Sequence, residues 1–210
     1  MSTIISPADQ RVILDQVSWS TYLKLDDETV NRRGRMAYDQ GTLEIMSPSL
    51  AHENDKRLLG RMIEAYTEEL GIDIRSVSST TFKREDLRRG FEADESYYVQ
   101  NEEAVRDKRE IDLTIDPPPD LVIEIEISRT SMDKSGIYRA LQVPEIWRYD
   151  GEALRVYVLR GDEYKESPTS DAFPELPMAE VMRFLRLRHE LSETRLIRAF
   201  RQWVREHLAS

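Results

Sequence analysis

Apolar side chains recur along the central part of this chain with two different periods. Between Leu50 and Leu70 they return every three or four residues, which is the spacing that places them along one face of an α-helix. Gly71 predicts the end of this helix, because glycine accepts the left-handed backbone that commonly closes one. Before the helix, the segments 35–38 and 42–46 flank an Asp-Gln-Gly turn and predict a β-hairpin.

The segments after this helix predict a run of further elements. β-Branched and aromatic residues indicate strands, whereas the region 101–119 is charged, ends in prolines and predicts a loop. The predicted elements are strands over 72–82, over 91–99 and within 117–128, a helix over 131–141, and strands over 145–150 and 153–160. An apolar stripe after Ser192, the expected N-cap, predicts a C-terminal amphipathic helix. The central part therefore has the order helix, strand, strand, strand, helix, strand.

The strand within 117–128 carries acids where a core strand is usually apolar. Side chains alternate across a strand, so Asp120, Glu124 and Glu126 share one face while leucine and isoleucine fill the other. Glu124 and Glu126 lie ~7 Å apart at ~3.3 Å per residue, which is close enough to share a hard cation. The pattern predicts a metal site. The alternative is a half-exposed antiparallel strand.

Composition limits the classes of protein and of site. The chain has 210 residues, of which 40% are hydrophobic and 33% charged, with no Gly/Ser-rich or Pro-rich linker, so we expect one globular domain over residues 1–210. Cysteine is absent, so a metal would be held by oxygen or histidine ligands. No apolar run approaches the ~20 residues of a membrane span, and the N-terminus lacks the pattern of a secretory signal. We therefore expect a cytoplasmic protein without membrane contact.

The charges of the chain bear on whether it binds nucleic acid. The net charge of −10 argues against a protein that coats nucleic acid without specificity. Basic residues nevertheless cluster in the arginine-rich C-terminal region and in a predicted loop. The loop residues, which we expect to contact the DNA backbone, are Lys83, Arg84, Arg88 and Arg89. Solvated surfaces explain such residues equally well.

The order of elements and four short segments resemble a known family. An acid opens the second strand of the central part and an acid-x-acid pair lies in the third, as in the core of the PD-(D/E)xK nuclease superfamily. More closely, the chain is similar to a widespread bacterial family of restriction-endonuclease-like proteins, long catalogued as a domain of unknown function. The similar segments, which together lie within about residues 17–160, are 38–48 with His52, 90–94, 118–128, and Lys134 with 137–150.

The resemblance implies a metal-dependent site. In the superfamily two acids bind Mg²⁺ and a lysine orients or activates the attacking water, so the matching positions imply Asp94 and Glu124 as metal ligands. The chain departs from the motif twice: Ala93 replaces a proline that binds nothing, and Glu126 stands where the lysine is usual. Lys134, near the start of the following helix, is the expected substitute, although helix lysines are common without any such role.

Further acids belong to the predicted site as auxiliary groups. Asp120 and Glu126 are expected to widen the metal site or orient water. We therefore expect Asp120 to be a further metal ligand and Glu126 to be a catalytic residue. Glu44 or Glu53, around the turn into the first long helix, is the expected additional ligand, and the predicted metal set includes Glu44. The neighbouring His52 is expected to be a surface or helix-start histidine.

The expected fold is α/β of the α+β kind, with a restriction-endonuclease-like core. A central mixed β-sheet is flanked by helices in the order αβββαβ, with an N-terminal β-hairpin and C-terminal helices over about 178–208. The predicted function is Mg²⁺- or Mn²⁺-dependent hydrolysis of DNA phosphodiester bonds. The alternative is a catalytically inactive nuclease fold that binds nucleic acid or protein, which the displaced lysine and the net acidity favour. A homodimer is a further expectation, because nucleases that cut both strands often dimerise.

Overall fold

The computed structural model describes residues 9–27, 34–127 and 132–209. The strands of these residues form a five-stranded and a six-stranded β-sheet, and helices pack on both. The strands are β1 (Gln10–Leu14), β2 (Arg35–Asp39), β3 (Thr42–Ser47), β4 (Arg75–Ser76), β5 (Thr81–Arg84), β6 (Arg89–Glu92), β7 (Glu95–Tyr98), β8 (Leu121–Ile125), β9 (Glu145–Tyr149), β10 (Leu154–Arg160) and β11 (Glu163–Ser167). The helices are α1 (Trp19–Asp27), α2 (Leu50–Leu70), α3 (Glu102–Val105), α4 (Ser135–Ala140), α5 (Met178–Arg186) and α6 (Glu193–His207), with a 3₁₀ turn at Leu187–His189.

The strand order shows how the two sheets are built. It is β1-β3-β2-β6-β5 in the five-stranded sheet and β11-β10-β9-β8-β7-β4 in the six-stranded sheet. Among these pairs β8 and β9 run parallel, and the others are antiparallel. Helix α4 connects β8 to β9, so the three form the predicted βαβ unit. The predicted α+β fold with a mixed sheet is therefore confirmed.

Helix α2 has the bounds that the apolar period indicated. The side chain of Ser49 caps its start by accepting a hydrogen bond from the backbone N–H of His52 at 3.3 Å. Gly71 ends it in the left-handed conformation, with a φ of 65°. Leu59 and Ile63, on its apolar face, pack into the core beside the six-stranded sheet. The helix is thus fixed from its first turn, which carries part of the site.

The acidic strand β8 lies in the middle of the six-stranded sheet and is buried on both faces. Leu121, Ile123 and Ile125 share a core cluster with apolar residues of α2, α5 and α6. On the other face, Val122 packs with apolar residues of α4 and of the five-stranded sheet. Glu124 shares that second face, and the residue is only 4% exposed. The half-exposed alternative for this strand is therefore wrong.

Two of the predicted strands are each divided between the sheets. The segment 91–99 forms the end of β6 and all of β7, and the chain crosses between the sheets at Ala93 and Asp94. The segment 72–82 likewise contains β4 of one sheet and the start of β5 of the other. Side-chain alternation shows which face is buried but not which strand the backbone pairs with, so a single central sheet was expected.

Helices complete both layers. Helix α1 covers the outer face of the five-stranded sheet, where the rings of Tyr22 and Tyr38 stack with centroids 4.9 Å apart. The predicted C-terminal helices are present as α5 and α6, and Phe184 contacts Phe200 edge to face. Ser192 is the N-cap residue of α6, although its side chain makes no capping hydrogen bond. Within the ranges that the structure describes, the helices are too short or too polar to cross a membrane.

Candidate functional site

Asp94 stands where the chain crosses from one sheet to the other. It follows β6 and precedes β7, and the residue is 1% exposed. Its Oδ2 accepts a hydrogen bond from the backbone N–H of Ile125, the last residue of β8, at 2.7 Å. Glu124 directly precedes Ile125. The crossing therefore brings the two predicted metal ligands to the same end of β8.

Two basic side chains surround Asp94. Arg35, from β2, donates one guanidinium N–H to Oδ1 of Asp94, and its second terminal nitrogen donates to Oε1 of Glu53 at 2.5 Å. The Nε2 atom of His52 lies 2.8 Å from the same Oδ1. On the other side of the ring, Nδ1 of His52 lies 3.1 Å from Oδ2 of Asp9. The five-stranded sheet and the first turn of α2 thus both contribute to this cluster.

These contacts determine the charge state of Asp94. Burial acts to raise the pKa of this carboxyl group, but the hydrogen bond from His52 and the charge of Arg35 outweigh burial and lower the pKa to about 2. Burial also acts to lower the pKa of His52, and its contacts with Asp94 and Asp9 raise it above the ordinary value. Asp94 is therefore ionised at neutral pH, as a ligand for a hard cation must be.

Glu124 has its own partners on the side of α4. Nζ of Lys134 lies 2.9 Å from its Oε2, and the hydroxyl of Tyr138 donates to its Oε1. Burial acts to lower the pKa of Lys134, but the charges of Glu124 and Asp94 raise it above the ordinary value. Lys134 is therefore a buried cation, 6% exposed, that lies close to both acids.

Glu44 and Glu126 lie at the periphery of this group. Glu44 is buried on β3, 3.0 Å from Arg11, and its charge also raises the pKa of Lys134. Glu126 comes after the end of β8, lies 3.5 Å from the guanidinium of Arg148 and has a side chain that is 28% exposed. Burial, opposed by the charge of Arg148, raises the pKa of Glu126. The structure therefore brings both acids near the cluster without a direct contact to Asp94.

Asp120 lies outside the cluster, which corrects its predicted role as a metal ligand. It precedes Glu124 by four residues, or ~13 Å of extended strand. Its oxygens accept hydrogen bonds from the backbone N–H groups of Val99 and Asn101 at 2.7 and 2.9 Å, and from the Asn101 side chain. Asp120 therefore fixes the loop after β7. Alternation placed it on the correct face but could not show that it is at the opposite end of the strand.

The predicted nucleic-acid-binding residues lie at a hairpin, where β5 turns into β6, and not in a free loop. Three of them are paired with acids: Lys83 with Asp26 at 2.6 Å, Arg84 with Asp86 at 2.6 Å and Arg89 with Asp39 at 2.7 Å. Arg88 lies in the turn with a φ of 50°. Arg89 precedes Asp94 by five residues, or ~17 Å of extended chain. The structure does not bring this group to the acidic cluster.

Sequence reasoning missed several members of the cluster. The sequence pattern places Arg35 only in a predicted hairpin strand and Tyr138 only in a predicted helix, and it assigns no role to Asp9 or Arg11. His52 is at the helix start, as expected, but it is fully buried, so the expectation of a surface position is wrong. The sequence does carry a signal for Arg35, because an arginine at the start of a buried strand needs an acidic partner.

The donor chemistry of the cluster suits a divalent cation. Asp94 and Glu124 offer hard carboxylate oxygens from adjoining strands, which Mg²⁺ and Mn²⁺ prefer. In the part of the chain that the structure describes, no three acidic or histidine side chains are already grouped around one metal position. Arg35 and Lys134 instead balance the two carboxylates. A divalent ion would therefore have to compete with these two cations for the carboxylates.

Comparisons with known proteins agree with this fold. None of the curated proteins matches the chain. Among solved structures, the chain is similar to the 1.96 Å crystal structure of a "putative nuclease belonging to DUF820" from Anabaena variabilis, with 13% sequence identity and a TM-score of 0.51 over 80% of this chain and 99% of that chain. This likeness shows a shared fold.

The family comparison is more specific. Residues 19–187 match the model of the Uma2 family, which is described as "Putative restriction endonuclease". Together with the fold, this match supports a nuclease-like function. Since the matched residues span most of the chain and include the whole acidic cluster apart from Asp9 and Arg11, the protein belongs to the Uma2 family.

Proposed function

We propose that this protein is a metal-dependent endonuclease that hydrolyses DNA phosphodiester bonds by a PD-(D/E)xK-type mechanism. The observation that carries the proposal is the burial of Asp94, Glu124 and Lys134 together at one end of β8. Burying charged groups costs several kcal/mol each, and well-packed apolar residues of similar size often stabilise a core as well as a buried ion pair does. A structural role alone therefore explains this group of charged residues poorly.

Asp94 and Glu124 would hold Mg²⁺ or Mn²⁺. When bound, such an ion lowers the pKa of a coordinated water and neutralises charge on the phosphodiester in the transition state. Asp94 is prepared for this role because it is ionised and its Oδ2 is fixed by the backbone of Ile125. Glu124 is fixed by the Tyr138 hydroxyl, which limits its rotation.

Lys134 supplies the positive charge that the usual motif lysine would provide. It is cationic, buried and 2.9 Å from Glu124, so it can donate to a phosphate oxygen beside the metal ligands. Glu126, with a half-buried carboxylate at the edge of the cluster, is suited to orient water. Glu44 contributes negative charge from the five-stranded sheet and is a candidate for an additional ligand.

DNA is the proposed substrate and partner, and the cytoplasm is the proposed compartment. Membership of the Uma2 family and the carboxylate chemistry support DNA as the substrate. The lack of cysteine is compatible with a cytoplasmic location. Assembly as a homodimer stays a prediction, since cutting both strands commonly uses two copies of one site.

A second candidate has an observation in its favour. All four carboxylate oxygens of Asp94 and Glu124 accept hydrogen bonds from groups of the protein itself. An inactive nuclease fold that binds nucleic acid or protein would be stabilised by such internal pairing. Calorimetric titration with Mn²⁺ distinguishes the two, because the inactive scaffold predicts no binding that depends on Asp94 and Glu124.

The test of the proposed function is a cleavage assay on supercoiled plasmid and on single-stranded DNA with Mg²⁺, Mn²⁺ or EDTA. We expect nicked plasmid with either metal and none with EDTA. Nicking that persists in EDTA would reject the metal-dependent mechanism. A lack of nicking with every metal and substrate, together with no Mn²⁺ binding, would favour the inactive scaffold.

A further inference from the structure

Among the described residues, the exposed side chains of the acidic cluster lie at one edge of the six-stranded sheet, which we call the opening. Asp94 and Glu124 are almost fully buried, whereas the side chain of Glu53 is 42% exposed and that of Glu126 is 28% exposed. Glu53 lies in the first turn of α2, and Glu126 follows the end of β8. Among the described side chains of the cluster these two are the most exposed, so the opening lies between the start of α2 and the end of β8.

The end of β9 lies beside this opening. Strands β8 and β9 are parallel, with Ile125 opposite Tyr149, so both end at the same edge. The backbone N–H of Glu126 donates to the carbonyl of Tyr149 at 2.7 Å, which continues this pairing one residue beyond β8. Tyr149 therefore lies at the end of the sheet that carries the opening, and its side chain packs with Ile125 on the face of α2, α5 and α6.

Arg188 holds the C-terminal 3₁₀ turn against this edge. It donates to the Tyr149 hydroxyl at 2.6 Å, and its guanidinium lies 5.7 Å from the centre of the tyrosine ring. It also lies 3.3 Å from a carboxylate oxygen of Asp55, on α2. Asp55 follows His52 by three residues, so it is one helical turn from the cluster. The turn is thus attached to α2, which borders the opening, and to β9, the parallel neighbour of β8.

Two exposed side chains close to Arg188 line cavities at the protein surface. Arg186 and His189 line a cavity of about 310 Å³ with Tyr149 and Glu152. His189 and Arg188 also line a cavity of about 440 Å³ beside Asn54 of α2. Within the described ranges, the side chains of Arg186 and His189 form no hydrogen bond or ion pair. They are available for a ligand outside the protein.

The acids near this turn do not neutralise it fully. Asp55 is paired with Arg188 itself. Glu193, which lines the larger cavity, is paired with Arg61 at 2.6 Å. Glu152 lines the smaller cavity together with Arg186, and within the described ranges no acid lies at ion-pair distance from Arg186. The guanidinium of Arg186 can therefore bind an anion from outside the protein.

We propose that Arg186, Arg188 and His189 form the surface that binds the DNA phosphate backbone beside the active site. The proposal rests on the proposed nuclease function and assigns its substrate-binding surface to the C-terminal turn. A guanidinium donates to phosphate oxygens with good geometry, and most protein contacts to DNA go to phosphate and sugar. Arg188 anchors the turn, while Arg186 and His189 contact the backbone.

The hairpin of β5 and β6 is the competing surface. Its Lys83, Arg84 and Arg89 would each have to leave an acid partner in order to bind phosphate. The hairpin turn is also ~17 Å of extended chain away from Asp94, whereas the C-terminal turn touches the edge where the site opens. We therefore expect the hairpin to contribute little affinity.

The test compares two double variants of the full chain that change exposed or half-exposed side chains. Arg186→Gln/His189→Gln removes the turn contacts, and Lys83→Gln/Arg84→Gln is the matched control. Binding to a fluorescent DNA duplex of about 20 base pairs, roughly two helical turns, is measured by anisotropy in EDTA between ~50 and ~200 mM salt. We expect the turn variant to bind roughly tenfold more weakly, with a salt slope reduced by about 1, and the control to change little.

Two further experiments complete the test. One distinguishes the loss of a charge from a change in structure, and the other tests the nuclease proposal independently of this inference. Arg186→Lys keeps the charge, so it should retain the salt slope of DNA binding. An equal loss of DNA affinity in Arg186→Lys and in the turn variant would reject a phosphate contact. Unchanged binding by the turn variant, loss in the control variant, or no binding by the wild type would each overturn the assignment. Plasmid nicking by the same wild-type preparation decides independently whether the nuclease proposal stands.

Discussion

Arg35 and Asp94 form a buried ion pair that joins the five-stranded sheet to the point where the chain crosses into the six-stranded sheet. The same carboxylate is bound by His52 and by the backbone of Ile125. Arg35, a cation of the protein itself, thus fixes the position of a candidate metal ligand. The pair stabilises the fold, and under the proposed function it would compete with a divalent ion for Asp94.

Replacing Arg35 with methionine should destabilise the protein in EDTA and make it respond to Mn²⁺. Removing one partner of a buried pair leaves an uncompensated charge, which costs roughly 3–5 kcal/mol of unfolding free energy. A bound divalent ion compensates that charge, so Mn²⁺ should restore more stability to Arg35→Met than to the wild type.

Urea unfolding with EDTA and with Mn²⁺ measures this difference. Arg75→Met is the control, because Arg75 donates to the carbonyl of Lys108 and lies away from the cluster. If Mn²⁺ stabilised Arg35→Met no more than it stabilises the control, Arg35 would not be the group that the metal replaces.

Replacing Lys134 with methionine should lower the cleavage rate. A single donor to developing charge commonly contributes about 10²- to 10³-fold in rate, and Lys134 lies beside Glu124, where the proposed mechanism places that charge. Lys24→Met, on the exposed side of α1, is the control. DNA affinity should change much less than the rate. A normal rate for Lys134→Met, in a folded protein, would remove Lys134 from the mechanism.

Replacing Asp120 should affect stability but not the chemistry. Asp120→Ala leaves the backbone N–H groups of Val99 and Asn101 without their acceptor, which costs roughly 1–3 kcal/mol. Asp120→Asn keeps an acceptor and should cleave DNA at the wild-type rate. Denaturation curves and nicking rates test the two statements separately. A folded Asp120→Asn protein without metal-dependent cleavage would restore Asp120 to the metal site.

Acid should weaken the contact between α2 and α6. Hydrogen bonds from Arg205 and from Arg201, at 2.5 and 2.9 Å, lower the pKa of Glu69 to about 2. A lowered pKa in the folded state contributes stability above the ordinary pKa of 4.5, and this contribution is lost as the pH falls from 4.5 towards 2. The stability difference between wild type and Glu69→Gln should therefore be larger at pH 7 than at pH 3.

Urea midpoints at the two pH values measure this difference, and Glu103→Gln, at an exposed position on α3, is the control. An unchanged difference between wild type and Glu69→Gln at pH 3 would show that these ion pairs do not shift the titration of Glu69.

Local signals explain the parts of the fold that the sequence predicted well. Helix α2 has its apolar period, its cap at Ser49 and its stop at Gly71 within one continuous segment. The βαβ unit around β8 was predictable because an apolar strand, a short helix and a second strand follow one another. Each of these features depends on neighbours in the chain.

The parts that could not be predicted depend on distant residues. Arg35 and Asp94 are separated by 59 residues, and His52 and Asp94 by 42. Their contact exists because the chain changes sheets at Asp94, and no local pattern records that crossing. For the same reason alternation grouped Asp120 with Glu124, although the two acids serve opposite ends of one strand.

The measurement that tests the central claim most directly is Mn²⁺- and Mg²⁺-dependent nicking of supercoiled plasmid by Asp94→Asn/Glu124→Gln, beside the wild type and Asp120→Asn. The carboxamide substitutions keep the size of both side chains and remove their charge. We predict nicking by the wild type and by Asp120→Asn, and none by the double variant. Metal-dependent nicking by a folded double variant at the wild-type rate would contradict the assignment of the site to Asp94 and Glu124.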